Sequence, residues 1–407
     1  MSQTSLPPSE LRYFTDLGQY GWQDLDQLDP VVRMQILVDI KDFIQRHPAA
    51  IMEHDPDWLY AKCGTGKSAK FFFLLADDGS LSAYAPFFVH PSTLSFEILG
   101  ISLWEYRICR YSITAGPLLS EKTDANKALT GLFNYLRSIL SDRKTLFGLG
   151  IEPESPFGQF IQNNTEFKKK FKLVPSGSIY CRRLIELPAN FDQYIQNLGY
   201  GTRKEVRRVL RRLEQNPEID LSYHIFTTPA DVAGFLPMAQ QVSDKTYQHN
   251  LLGLGLSNNA ETNRNLTTAA ENGWLRSYLL MCNQVPVVFQ HGYLYKGTYY
   301  AEQTGYDPAW KDKSVGTVAQ IYRIRDLISD GVTRLDFLYG DNEKKKSLSN
   351  TYRIEQNFHL IPKKFSLHLL AYFLLIFNSL SQWIGNFIEK WELKSKLRRY
   401  LRKRSVN

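Results

Sequence analysis

Two short stretches of this 407-residue chain have the residue types to hold a phosphate. The first, AKCGTGKS at 61–68, meets the relaxed P-loop spacing, with Gly66, Lys67 and Ser68 in place. A phosphate cradle needs a buried strand entering the loop and a helix leaving it, because the donors are backbone N–H groups of the first helical turn. Here Glu53, His54, Asp55, Pro56 and Asp57 interrupt the approach, and AKFFFLLADDGSLSAYAPFFV after it reads as two strands around Asp77-Asp78-Gly79. The stretch is therefore expected to be a loop entering a hairpin. The second, Ser314, Val315, Gly316 and Thr317, precedes apolar residues at helical spacing (Val318, Ile321, Ile324, Leu327, Ile328) closed by Gly331. It offers free N–H groups at the positive end of a helix, and Gly316 permits close approach of an anion.

Groups able to carry a proton flank that second turn. Glu302 lies in the middle of an expected strand, Tyr306 at its end, His291 in FQHGYLY, Asp336 in VTRLDFLYG and Lys345 in a lysine triplet. Each also has a structural role open to it: His291 as a satisfied sheet histidine, Asp336 as a turn ligand, Tyr306 as packing, and Lys345 as a solvated helix start.

The elements that would position them are legible as pattern. Trp274 to Asp307 divides into three strands at Asn283-Gln284 and Lys296-Gly297, an antiparallel meander. The 315–330 helix follows, and VTRLDFLYG supplies a further strand. This order gives a mixed α/β layer rather than a doubly wound sheet. At 407 residues and 43% hydrophobic, two domains are expected. Cys63, Cys109, Cys181 and Cys282 are scattered without metal-ligand spacing, so neither a disulfide framework nor a metal site is expected, and the N-terminal residues show no signal segment. A cytoplasmic location follows as an expectation.

The net charge of +8 is unevenly spread. Lys390 to Asn407 carries eight basic residues against Glu392, leaving about one positive charge for everything before it. A second cluster, Arg203, Lys204, Arg207, Arg208, Arg211 and Arg212, recurs at helical spacing opposite Val206, Val209, Leu210 and Leu213.

The order of motifs in GYDPAWKDKSVGTVAQIYRIRDLISDGVTRLDFLYGDNEKKK resembles the GNAT-type acetyltransferases related to the cellulose-biosynthesis CelD proteins, distant relatives of the Fem aminoacyltransferases. The matching positions are Gly305-Tyr306-Asp307, Ser314 and Gly316, Asp336-Phe337, Gly340-Asp341 and Lys345; Lys344 stands where the family has tyrosine. The resemblance covers roughly 184–346. It implies tandem GNAT-like domains, each a mixed, mostly antiparallel sheet flanked by helices: a degenerate copy over 1–183, an acyltransferase domain over 184–365, and a helical tail over 366–407. It implies an N- or O-acyltransferase using acetyl-CoA or another acyl-CoA as co-substrate. The acceptor would be an amine or hydroxyl of a sugar, a lipid-linked molecule or a peptide. Ser314 to Thr317 would take the CoA pyrophosphate, and the pantetheine arm would lie where Thr298–Thr304 and Arg334–Tyr339 splay apart. Glu302 would be the general base, with Asp336, His291, Tyr306 and Lys345 as further candidates. A Fem-like reading would use aminoacyl-tRNA on the 203–212 basic face, and a non-catalytic scaffold is the third possibility.

In the tail, Leu369, Phe373, Phe377, Leu380, Ile384, Phe387 and Trp391 form an amphipathic stripe running into the basic end. It falls short of the roughly 20 apolar residues of a membrane span. The expectation for 367–404 is either attachment to an anionic membrane surface, the inner face of the cytoplasmic membrane, or packing on the acyltransferase domain.

Overall fold

The computed structural model describes residues 21–98, 101–140, 143–246 and 255–390. The chain divides into two compact units, one of residues 1–43, 64–178 and 356–407, the other of 44–63 and 179–355. One division falls between residues 178 and 179. Two segments group differently from their place in sequence: 44–63 belongs to the second unit and 356–365 to the first.

In the first unit, strands β1 (Trp22–Asp24), β2 (Ser68–Leu75), β3 (Leu81–Ile98) and β4 (Ile101–Thr114) pair antiparallel in that order, with β5 (Leu118–Leu119) beside β3. The Ala125–Ile139 helix, capped by Asp124, then leads to β6 (Lys144–Ile151), which runs parallel to β4. The P-loop lookalike is a tight turn in which Gly64 and Lys67 exchange backbone hydrogen bonds, with Gly66 at φ +72°, and β2 begins at Ser68. No helix leaves it, so it has no phosphate cradle. The core gathers Phe72, Phe87, Leu129, Leu132, Phe133, Leu146, Phe160 and Phe171 between the sheet and the helices.

The chain passes to the second unit within β7 (Phe171–Glu186). There β8 (Leu221–Phe226), β9 (Ser277–Cys282), β10 (Val285–Tyr295) and β11 (Thr298–Tyr306) pair antiparallel in that order. The two expected turns are the observed ones. Asn283 and Gln284 have φ +51° and +63°, and Lys296 and Gly297 have +48° and +72°, the double positive φ that matches the twist of a two-residue hairpin. The Val315–Ser329 helix then leads to β12 (Arg334–Asp336), parallel to β11, and β7 closes antiparallel against β12. The chain returns to the first unit within β13 (Thr351–Pro362).

Both units thus follow one topology: an antiparallel run, a helix, and a strand parallel to the last of the run. They differ at the parallel pair. In the first unit β4 and β6 stay paired from Cys109–Lys144 to Thr114–Leu149, and the ladder continues with Ala115 N–H on Leu149 O at 2.9 Å. In the second unit β11 and β12 share only three registered pairs, ending at Tyr300–Asp336. The sheet opens there.

The Phe365–Lys390 helix lies on the first unit, burying Leu367, Leu370, Ala371 and Leu374 against Leu94, Phe96, Ile108, Val174 and Ile361. Of the expected stripe, Phe377 packs against this cluster, while Leu369 (50%), Phe373 (49%) and Leu380 (39%) are exposed. Trp391 and the basic run after it lie outside the described residues. Among the described residues, no helix is long and apolar enough to cross a membrane, and no group of acidic, histidine and cysteine side chains could hold a metal ion.

Candidate active site

The opening between β11 and β12 follows from local chemistry. β12 stops at Asp336, whose Oδ1 accepts the N–H of Leu338, a residue held at φ +54°. Lys345 Nζ donates to Phe337 O and Tyr339 O, both at 2.9 Å, and fixes the departing loop. β11 continues to Tyr306 without that neighbour. Glu302, Gln303 and Thr304 are consequently exposed in the middle of a sheet. Opposite Gly292, β11 also bulges, the register jumping from His291–Gln303 to Tyr293–Tyr300. A bulge re-aims side chains, and here two consecutive residues, Glu302 and Gln303, line the same cavity. Gly292 is required at that spot, because a Cβ there would lie 2.3 Å from Tyr300 O and 2.4 Å from the Tyr299 hydroxyl.

The cavity, about 260 Å³, is lined by Trp58, Lys62, Asn265, Tyr293, Glu302, Gln303 and their neighbours. Its wall comes from early in the chain. The Pro56–Ala61 helix, capped by Asp55, is held by Tyr295 Oη on Asp55 Oδ2 (3.0 Å) and by Arg264 on Ala61 O (3.1 Å) and Cys63 O (3.0 Å). Trp58 packs edge-on against Tyr293 at 4.6 Å, and Lys62 Nζ sits 4.4 Å over the Trp58 ring. Trp58 Nε1 and Asn265 Oδ1 are buried polar atoms with no hydrogen-bond partner among the described residues. These residues were missed in the sequence. The Asp55-Pro56 pair that argues against a strand is also a helix-start signal, a capping aspartate before proline.

The Glu302 carboxylate reaches solvent on the cavity side while protein surrounds it on the others. That enclosure and the nearby charge of Glu53 lift its pKa to about 7, against the opposing pull of Lys62 and Arg182. His291 also lines the cavity but is buried, with Nδ1 2.9 Å from Ser277 Oγ, and burial drops its pKa to about 3. It stays neutral near pH 7 and is not a proton carrier there. Asp336 is buried in a multidentate pair with Arg182 at 2.8–2.9 Å. Arg182 also lies 3.5 Å from Glu355. Burial works against the Arg182 charge, and Asp336 overrides it, raising the pKa. Asp336 thus ties the end of β12 to β7, a positioning role.

On the other face of the sheet stands the Val315–Ser329 helix, packed through Ile321, Ile324 and Leu327 near Tyr278 and Tyr299. Ser314 caps it at φ +59°, and its carbonyl accepts Thr317 N–H (2.9 Å) and Val318 N–H (3.2 Å). Of the four expected donors, only the Val315 and Gly316 amides are without a protein acceptor among the described residues; Ser314 N–H donates to Lys311 O. A Cβ at Gly316 would meet Tyr306 at 3.5 Å. Tyr306, 41% exposed, therefore borders the helix start. Lys344 Nζ donates to Thr317 Oγ1 at 2.7 Å, bringing a cation to the same turn. Lys345, by contrast, is occupied by the loop carbonyls, and burial lowers its pKa against the pull of Asp336 and Asp341. The arrangement is a helix start with two free amides and a nearby lysine on one face, a polar cavity with a carboxyl of pKa about 7 on the other, and an open sheet between them.

No curated protein matches the chain. Among solved structures it is similar to FemX at 12% identity and a TM-score of 0.57, over 79% of this chain and 95% of that one. It is also similar to a conserved protein of unknown function from Bacteroides thetaiotaomicron at 14% identity and 0.50, over 80% and 97%. At these identities the likeness is one of fold. The model of the acetyltransferase (GNAT) domain matches residues 201–346, the stretch that contains the meander, the Ser314 turn and the splayed strands. On that match, the second unit of this chain carries a GNAT-type acyltransferase domain.

Proposed function

We propose that the protein transfers an acyl group, acetyl in the simplest case, from acyl-CoA to an amine or hydroxyl of a polar acceptor held in the Glu302 cavity. The observation that carries this reading is Glu302 itself, a carboxyl with pKa about 7 at the gap between β11 and β12. The residues at the Ser314 turn fit the donor's pyrophosphate: two free amides, a glycine, the positive end of a helix and the Lys344 ammonium. Bound there, the donor supplies an activated acyl carbonyl. The exposed backbone of Glu302 to Thr304 offers pairing to an extended arm, which leads through the sheet to the cavity.

Acyl transfer forms a bond from the acceptor nitrogen or oxygen to the acyl carbon and breaks the carbon–sulfur bond. Glu302 takes the acceptor's proton, and the departing thiolate takes one in turn from the Tyr306 hydroxyl. Trp58 Nε1, Asn265 Oδ1 and Lys62 offer polar contacts for an acceptor such as a sugar, a lipid-linked sugar or a peptide. A donor carried on aminoacyl-tRNA is the second reading, favoured by Lys204, Arg207, Arg211 and Arg212, exposed on the Tyr200–Glu214 helix without acidic partners among the described residues.

Glu302→Gln tests the proposal. The expected loss in kcat/KM with acetyl-CoA is about 10²–10³-fold, the scale of one general base, with donor affinity unchanged. Salt-sensitive tRNA retention together with absent acetyl-CoA binding would instead favour the second reading. A chain that binds neither donor would be a scaffold.

A further inference from the structure

We propose that the first unit carries a docking face for an anionic lipid surface, built from the outer side of the Phe365–Lys390 helix and the end of the β3–β4 hairpin. The inner side of that helix is occupied by its packing on the unit, so the helix cannot roll to hide the rest. The outer side is apolar as well. Leu369, Tyr372, Phe373, Ile376, Leu380 and Trp383 recur at three- and four-residue steps and are exposed by 39% to 65%. Leu103 and Trp104 on β4 add to them at 60% and 49% exposure. The two elements adjoin: Phe96 stacks on Trp104 at 4.5 Å and meets Phe377 at 5.6 Å. Scattered apolar residues need no explanation on a soluble surface, but a continuous aromatic and aliphatic stripe of this length does.

The chemistry selects a lipid surface over another protein. From Phe365 to Ile388 the helix sequence contains no Asp, Glu, Lys or Arg, and eight basic residues follow between Lys390 and Arg404. An apolar face merging into a dense basic run fits acyl chains beside anionic headgroups. Lys172 lies at the rim, its Nζ 4.8 Å over the Tyr372 ring. Exposed tryptophans such as Trp104 and Trp383 suit the bilayer interface, with an apolar ring and one polar N–H. The hairpin itself bears Glu97 and Glu105 as well as Arg107, so the attraction to headgroups comes from Lys172 and the basic run. Because the helix is fastened to the unit from Leu367 to Phe377 and is not long and apolar enough to cross a membrane, it would lie in the interface plane.

The test is co-sedimentation of the full chain with phosphatidylcholine vesicles, with and without phosphatidylglycerol. Wild type should pellet with the phosphatidylglycerol vesicles and much less with phosphatidylcholine alone. The double variant Ile376→Glu/Trp383→Glu changes only exposed positions and should keep the wild-type melting temperature while losing binding at least about tenfold. Replacing Lys394, Lys396, Arg398 and Arg399 by Gln should weaken binding at low salt and leave the residual high-salt binding unchanged. Wild type that ignores anionic vesicles overturns the proposal whatever the variants do. So does a double variant that binds as wild type, or one whose sole change by light scattering is dissociation of a dimer, since a second copy would then be the occupant.

Discussion

Glu302 carries a sign that can be checked by stability as well as by rate. Its pKa in the fold, about 7, stands above the ordinary 4.5, so the fold favours the protonated carboxyl. The stability this contributes is complete below the ordinary value and is lost as pH rises through about 7. Glu302→Gln should therefore melt with its parent at pH 4 and above it at pH 8. Solvent on the cavity side screens part of the effect, so the rise should be no more than about 4 °C by scanning calorimetry. Under the proposed role of Glu302 as general base, the rate should climb with pH to a plateau above that value in wild type and lose this limb in the variant. Asp336 separates from Glu302 by the same reasoning. Removing it leaves buried Arg182 without its main partner, while Glu355 stays 3.5 Å away. Asp336→Ala should cost about 3 kcal/mol in urea unfolding, the lower end for a broken buried pair. Full stability with abolished turnover would return Asp336 to the chemistry.

At the scale of elements, the Val315–Ser329 helix and the short β12 make the candidate site together. The helix start supplies two free amides and Gly316, where a side chain would rise toward Tyr306 and into the path of an anion. Gly316→Val should weaken acetyl-CoA binding by about 1–3 kcal/mol, one or two charge-assisted hydrogen bonds left unmade. Titration calorimetry measures it, with circular dichroism to confirm folding; equal affinities would remove this turn from the donor site. The contrast between β4–β6, zipped to Thr114, and β11–β12, open after Tyr300, explains why one unit offers a gap and the other does not. In the first unit Gly116, just after β4, faces the Phe157 ring, where a Cβ would come within 2.6 Å.

At the scale of the molecule, the acyltransferase unit borrows a segment from early in the chain. Residues 44–63 bring Trp58 and Lys62 to the cavity and the charge of Glu53 near Glu302, fastened by Arg264, Tyr295 and by Lys296, whose Nζ donates to Ile44 O (2.6 Å) and His47 O (2.8 Å). A fragment of 184–365 would expose Tyr293 and Tyr295, leave those donors unpaired, and lose the part of β7 before Leu184. Expressed alone, it should be insoluble or lack a cooperative thermal transition. A soluble, cooperatively melting fragment that binds acetyl-CoA would show that the segment is dispensable.

The sequence by itself determined whatever depends on neighbours along the chain. The hairpin turns at Asn283-Gln284 and Lys296-Gly297, the helix closed by Gly331, and the strand after Lys67 are set by φ preferences and apolar periodicity within a few residues. Glu302 could be placed in the middle of an expected strand, and the 314–317 turn at an expected helix start, from the same local pattern. Tertiary structure alone decided which acids are free. Asp336 and Glu302 read alike as carboxylates in strands, but only folding gives Asp336 the Arg182 fork and leaves Glu302 at a gap in the sheet. It also decided that Trp58 and Lys62 join the cavity from more than two hundred positions upstream of Glu302, and that one apolar face of the Phe365–Lys390 helix is buried while the other stays bare. Periodicity reports that a face is apolar; only packing against Leu94, Phe96 and Ile361 says which face is used.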